Sequence, residues 1–138
     1  MGARALAVYR HAGSGGVEVT KLAQLIATQE GFFVTGTLPQ RNNNPGDLRH
    51  SPNSTHPCEP DDIGVIDTVE HGWDDLERQL RLYADRGLNL EDSIYEFAPP
   101  ADGNDSAAYL AFVLNGLNGE YGDIEGGTPL SRVLEIQA

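Results

Sequence analysis

From residue 32 to residue 67 the chain shows no helical period: Pro39, Asn42, Asn43, Asn44, Pro45, Gly46, Pro52, Pro57 and Pro60 break it into turns, while amphipathic helical patterns stand on either side. Proline lacks the N–H that a helix interior or a central strand needs, and Asn and Gly accept backbone conformations that other residues resist. So long a stretch without regular structure is uncommon inside a compact domain, and where it occurs it often carries function. The chain is therefore constrained to a helical body supporting one long irregular segment. Within that segment the sequence leaves room for at most two short strands, over residues 46–50 and 64–67.

On the N-terminal side, Leu22, Leu25 and Ile26 followed by Gln29 and Glu30 have the three-and-four spacing of one helix face, with Thr20 as N-cap and Gly31 as C-cap. Beyond the irregular segment, residues 69–86 place Val69, Trp73, Leu76, Leu80 and Tyr83 on one face and stop at Gly87. Trp73 reads as a core anchor of that stripe. The opposite face carries Asp74, Asp75, Glu77, Arg78, Arg81 and Asp85, a solvated surface with i,i+4 pairing such as Glu77 to Arg81. Asn89 caps a helix over residues 90–97 that Pro99 and Pro100 end. Another helix is predicted over residues 105–117 with Ala108, Tyr109, Phe112 and Val113 inward. A last one starts at Thr128 with Pro129 in its first turn and continues through Leu130, Val133, Leu134 and Ile136. No internal repeat is visible. About five helices and a minor β-hairpin make an α+β, mainly α, chain. Residues 1–16, an apolar start followed by Gly13, Ser14, Gly15 and Gly16, read as an N-terminal arm or linker, and residues 17–138 as one domain.

Charge narrows the partners. Nine Lys and Arg against 21 Asp and Glu give a formal charge of −12 over 138 residues. Nucleic-acid affinity rests on Lys and Arg neutralising phosphates, and anionic lipid attracts basic segments, so neither nucleic acid nor membrane is an expected partner. Nothing approaches the roughly 20 apolar residues of a transmembrane helix, and no charged-then-apolar secretion signal precedes residue 20. The single cysteine, Cys58, forbids an internal disulfide.

Glu30 is the first candidate for chemistry. It follows Ile26 by four residues and Leu22 by eight, so it shares their apolar face, and it closes the helix before Gly31, Phe32 and Phe33. Desolvation and the negative end of the helix dipole both disfavour its carboxylate and raise its pKa. A carboxyl that keeps its proton near neutrality is what a general acid for glycosidic cleavage requires. A solvent-facing Glu30 at a frayed helix end is the alternative. The second candidate is Arg41-Asn42-Asn43-Asn44-Pro45-Gly46-Asp47-Leu48-Arg49, in which Asn-Pro-Gly favours a tight turn and Asn amides offer the paired donor and acceptor that sugar hydroxyls and acetamido groups need.

Together with Gly72 opening a helix, Phe97-Ala98-Pro99-Pro100, and Asn104-Asp105-Ser106-Ala107-Ala108-Tyr109, these runs resemble the lysozyme-like proteins of bacteriophage virions and prophages, which are similar to soluble lytic transglycosylases. The resemblance covers about residues 20 to 119. It implies a lysozyme-like fold acting on the glycan strands of peptidoglycan, with Glu30 as the catalytic glutamate. It also implies that Asn43, Asn44, Gly46, Asp47 and Leu48 line the substrate cleft opposite, that Tyr109 lies near the glutamate, and that no metal or cofactor is needed. The family usually has Asn where this chain has Asp47, and an aromatic residue where it has Val65 or Ile66. The implied partners are peptidoglycan strands and phage tail or virion proteins, and the implied setting is a particle or the bacterial cell wall.

If Glu30 acts alone, the expected course is a lytic transglycosylase reaction ending in an anhydro sugar; if Asp47, 17 positions later, reaches the opposite face, water could be activated instead. A non-catalytic glycan-binding virion module is the competing reading. A glycosidase on a cationic amino-sugar polymer such as chitosan is another, because the charge of −12 repels anionic cell-wall polymers. His50, His56, Cys58, Glu59, Asp61 and Asp62 crowd one loop, but their spacings match no zinc or calcium motif. His11 and His71 read as bystanders.

Overall fold

The computed structural model describes residues 19–49, 51–55 and 63–138. The arm of residues 1–16 and the His56–Asp62 part of the acidic loop lie outside the described residues, as does His50. Six α-helices account for most of the described regular structure: α1 (Lys21–Gln29), α2 (Leu38–Arg41), α3 (Val69–Asp85), α4 (Leu90–Phe97), α5 (Ser106–Glu120) and α6 (Leu130–Ile136), with a 3-10 turn over Pro100–Asp102.

Local signals explain most boundaries. Thr20 caps α1 by accepting from Ala23 N–H at 3.1 Å. The helix ends in a Schellman motif, with Gly31 at φ +82°, its N–H on Thr28 O at 3.1 Å and Phe32 N–H on Ala27 O at 3.0 Å. Thr68 and Asn89 cap α3 and α4 in the same way as Thr20. The sequence reading omits α2, which Thr37 caps and Pro39 opens; at four residues it is too short for a period to register. Pro129 is the N-cap of α6, one place ahead of the expected first turn.

The core is one cluster. α1 packs on α5 and α3, α4 packs on α5, and α6 packs on α3 and α4. Where α1 meets α5 a Cβ on Gly116 would lie 2.5 Å from Leu25 Cδ2, so glycine sets that approach. Trp73 is 1% exposed and meets Phe32 edge to face at 5.4 Å, which ties the residues just after Glu30 to α3.

Two expectations need correction. The charged face of α3 is not wholly wet, because Asp75 and Glu77 are buried. Asp75 accepts from Ser51 Oγ, Asn53 N–H and Asn53 Nδ2, and Glu77 Oε2 accepts from Thr20 N–H at 2.7 Å, so both carboxylates tie other segments to the helix. On α5 the inward residues are Ser106, Tyr109, Val113 and Leu117; Ala108 and Phe112 face out.

The expected hairpin is also absent as strands among the described residues, where isolated antiparallel bridges join Arg49 to Ile63 and Ser54 to Ile66. A side chain replaces the missing ladder. Asn44, fully buried, donates through Nδ2 to Leu48 O and Gly64 O, each at 2.9 Å, and accepts from Leu48 N–H at 2.9 Å. The fold is mainly helical, with its irregular segment fastened to α3 by side chains.

Candidate active site

Glu30 is the C-cap of α1, and the Schellman turn beneath it holds its position. Tyr109, buried on α5, donates its hydroxyl to Glu30 Oε2 at 2.9 Å, so the α1–α5 packing brings together two residues 79 positions apart. Burial pushes the Glu30 carboxyl up to about 7; the Tyr109 hydroxyl opposes that rise, and the charge of Asp47 adds to it. The phenol of Tyr109 is pushed well above its ordinary value by its own burial and by the neighbouring carboxylate, so it remains a donor.

Glu30 opens into a cleft of about 380 Å³. One wall is the turn with Gly46, Asp47, Leu48 and Arg49, together with Ile63; α3 contributes Gln79 and Tyr83 to the lining; the end of α4 and the segment after it contribute Glu96, Phe97, Ala98, Pro99, Asp102 and Asn104. Among charged groups four carboxylates face one guanidinium, Arg49.

The turn is shaped from within. Asp47 N–H bonds Asn44 O at 2.9 Å, and Asp47 itself has φ +50°, a left-handed conformation that Asp and Asn tolerate better than most side chains. Asp47 Oδ1 is closed from solvent and has no hydrogen-bond partner among the described residues. Burial raises the Asp47 pKa, and Arg49 works against the rise. Gly72 allows α3 to approach this turn, since a Cβ there would stand 1.9 Å from Asn43 O and 2.8 Å from Pro45 Cδ.

The site residues expected from sequence thus divide. Glu30, Gly46, Asp47 and Leu48 line the cleft, and Tyr109 reaches it through Glu30. Asn43 and Asn44 do not line it. Asn43 Nδ2 donates to Ile66 O at 3.0 Å, and the fully buried Asn44 has its amide used inside the turn, so Asn44 is spent on the fold. Sequence reasoning missed Arg49, Gln79, Tyr83, Glu96, Asp102 and Asn104 as lining residues. A pointer existed in the run from Phe97 to Ser106: Asn104 Nδ2 donates to Pro99 O at 3.0 Å and Ser106 Oγ to Ala98 O, fixing this wall to the start of the helix that carries Tyr109. His71 pairs with Asp67 at 2.7 Å on the surface, away from the lining residues.

The arrangement offers a proton donor effective near neutrality, an aligned phenol, and a second carboxylate in one polar cleft. No protein-family model, curated protein or solved structure matches the chain. No helix among the described residues is long and apolar enough to cross a membrane, and none of their His, Cys, Asp and Glu side chains group as a metal site.

Proposed function

We propose that the protein is a lysozyme-like, phage-associated glycosidase, a lytic transglycosylase or muramidase, that cleaves the glycan strands of peptidoglycan with Glu30 as general acid. The observation that carries this reading is the Glu30 carboxyl at the cleft, with its pKa near 7 and Tyr109 fixing one of its oxygens at 2.9 Å. Glu30 gives its proton to the bridging oxygen as the bond from that oxygen to the anomeric carbon breaks, and the acetamido group of the same sugar stabilises the cationic centre. Two endings share the proton transfer from Glu30, and the acetamido group belongs to the first of them. The sugar's own 6-hydroxyl closes on the anomeric carbon while Glu30 takes its proton, leaving an anhydro end, or water attacks and leaves a reducing end.

The test is release of soluble fragments from purified cell walls. Wild type releases them and Glu30→Gln does not, with unchanged circular dichroism. An equally active variant refutes the role of Glu30, and failure of wild type to release anything refutes the enzyme and leaves the non-catalytic glycan-binding module. The charge of the cleft favours a second substrate, a cationic amino-sugar polymer such as chitosan, because Asp47, Glu96 and Asp102 against Arg49 attract amines. The same assay on chitosan oligomers separates the two.

A further inference from the structure

We propose that Asp47 is the second catalytic carboxylate of this cleft, taking a proton from the water that attacks the anomeric carbon while Glu30 protonates the leaving oxygen, so that the enzyme is an inverting hydrolase. The proposal rests on the Glu30 reading above and decides how the reaction ends.

Three observations support it. Asp47 and Glu30 line one cleft from separate elements, the turn and the end of α1. The neighbouring polar side chains of the turn are consumed by the fold: Asn43 and Asn44 bond backbone partners, whereas Asp47 Oδ1 has none among the described residues. The backbone at Asp47 is held at φ +50° between two bonds to Asn44, one from its own N–H and one from Leu48 N–H, both 2.9 Å. Glycine would make that turn at lower cost, so the turn gives no reason for a carboxylate.

The relation of the two acids favours a base over a nucleophile. Glu30 Oε2 accepts from Tyr109, Asp47 Oδ1 has no partner among the described residues, and no hydrogen bond joins the two carboxyls, which enter the cleft from separate elements. Inverting glycosidases seat water between separated carboxyls, whereas retaining enzymes hold the pair closer. Burial raises the Asp47 pKa, and Arg49 beside it works against that rise by favouring the anion, the form a base requires.

The step balances. The bond from the anomeric carbon to the bridging oxygen breaks, its electron pair stays on that oxygen, and the Glu30 proton follows. Water oxygen bonds the anomeric carbon from the other face and its proton passes to Asp47. Glu30 ends as carboxylate and Asp47 as acid, and exchange with solvent resets both.

The experiment is digestion of purified peptidoglycan in ¹⁸O-labelled water, read by mass spectrometry of the ends and by NMR of the newly formed anomer. Wild type should give reducing ends carrying one ¹⁸O in the inverted configuration. Asp47→Asn tolerates the left-handed turn and should lose about 100-fold or more in rate. Asp47→Gly, which fits φ +50° with less strain, guards against a folding fault, and added azide should restore its turnover as the inverted glycosyl azide. Anhydro ends from wild type, a retained anomer, full activity in Asp47→Asn, or no rescue of Asp47→Gly by azide would overturn the proposal while Glu30→Gln stays inactive and its own role stands. An active Glu30→Gln, or a wild type that releases nothing, overturns both.

Discussion

Replacing Glu30 by Gln should stabilise the protein, and only above a defined pH. The carboxyl titrates at an ordinary value of 4.5 when the chain is unfolded and at about 7 when it is folded. Because the folded value is the higher one, the proton on Glu30 favours the folded state fully below pH 4.5; that stability declines as pH rises and is lost once pH passes 7. The gap between 4.5 and about 7, at about 1.4 kcal/mol per pH unit, is worth about 3 kcal/mol. Gln cannot ionise, is nearly isosteric, and keeps an oxygen for the Tyr109 hydroxyl, so it escapes this loss. Stability curves of wild type and Glu30→Gln should lie close at pH 4, separate from about pH 5, and run parallel above about pH 8, with the variant ahead by about 3 kcal/mol.

Urea unfolding across this range, followed through the fluorescence of the single tryptophan, Trp73, reads the difference directly, since Trp73 is buried against Phe32 beside the site. With a urea slope of about 2 kcal/mol per molar, the midpoint should move up by about 1.5 M at pH 8.5. Other titrating groups, Asp47 and Glu77 among them, are common to both proteins and largely cancel in the comparison. A separation that does not change with pH, or one that shrinks as pH rises, would refute the claim that a buried, protonated Glu30 stands at this cleft.

Tyr109→Phe removes the hydroxyl that favours the Glu30 carboxylate, so the alkaline limb of the activity profile should move up by about one pH unit, the worth of one charge-assisted hydrogen bond of about 1.5 kcal/mol. Gly72→Ala, which gains about 1 kcal/mol in an ordinary helix, should here cost about 3 kcal/mol or more by thermal unfolding, because the new Cβ meets Asn43 O at 1.9 Å. Asn44→Ala leaves Leu48 O, Gly64 O and Leu48 N–H without their partner and should cost about 3 kcal/mol while abolishing glycan cleavage; faster proteolysis within residues 45–66 would report the loosened segment.

The helical frame was legible in sequence because its signals are local. Thr20, Thr68 and Asn89 each bond the N–H three residues on, and Gly31 and Gly87 take the left-handed residue after the helices they end. Glu30 was legible for the same reason, since period and helix end fix its face. What failed was whatever depends on a distant partner. Asp75 and Glu77 look like surface charges until the irregular segment and Thr20 come to rest on them. The Asn-Pro-Gly run signalled a turn, but nothing in its composition separates an amide that binds sugar from one that binds Gly64 O twenty residues away. The acidity that seemed global in sequence is partly local, with four carboxylates in one cleft.

How the polar groups are spent argues for chemistry rather than simple binding. Around the turn, Asn43, Asn44, Ser51, Asn53 and Asp75 satisfy one another or the backbone, as buried polar groups must. Asp47 Oδ1 is the exception there, and both it and Glu30, which Tyr109 bonds, cost stability. Glu30 forfeits about 3 kcal/mol above neutrality, and a non-glycine residue at φ +50° adds strain of about 1 kcal/mol. A module that only held glycan would gain stability from Gln at position 30 and Gly at position 47 and would lose no contact that the turn or the Tyr109 hydroxyl requires. A cleft that must donate a proton on one side and accept one on the other has a use for both carboxyls, and that difference is what the paired stability and product measurements would expose.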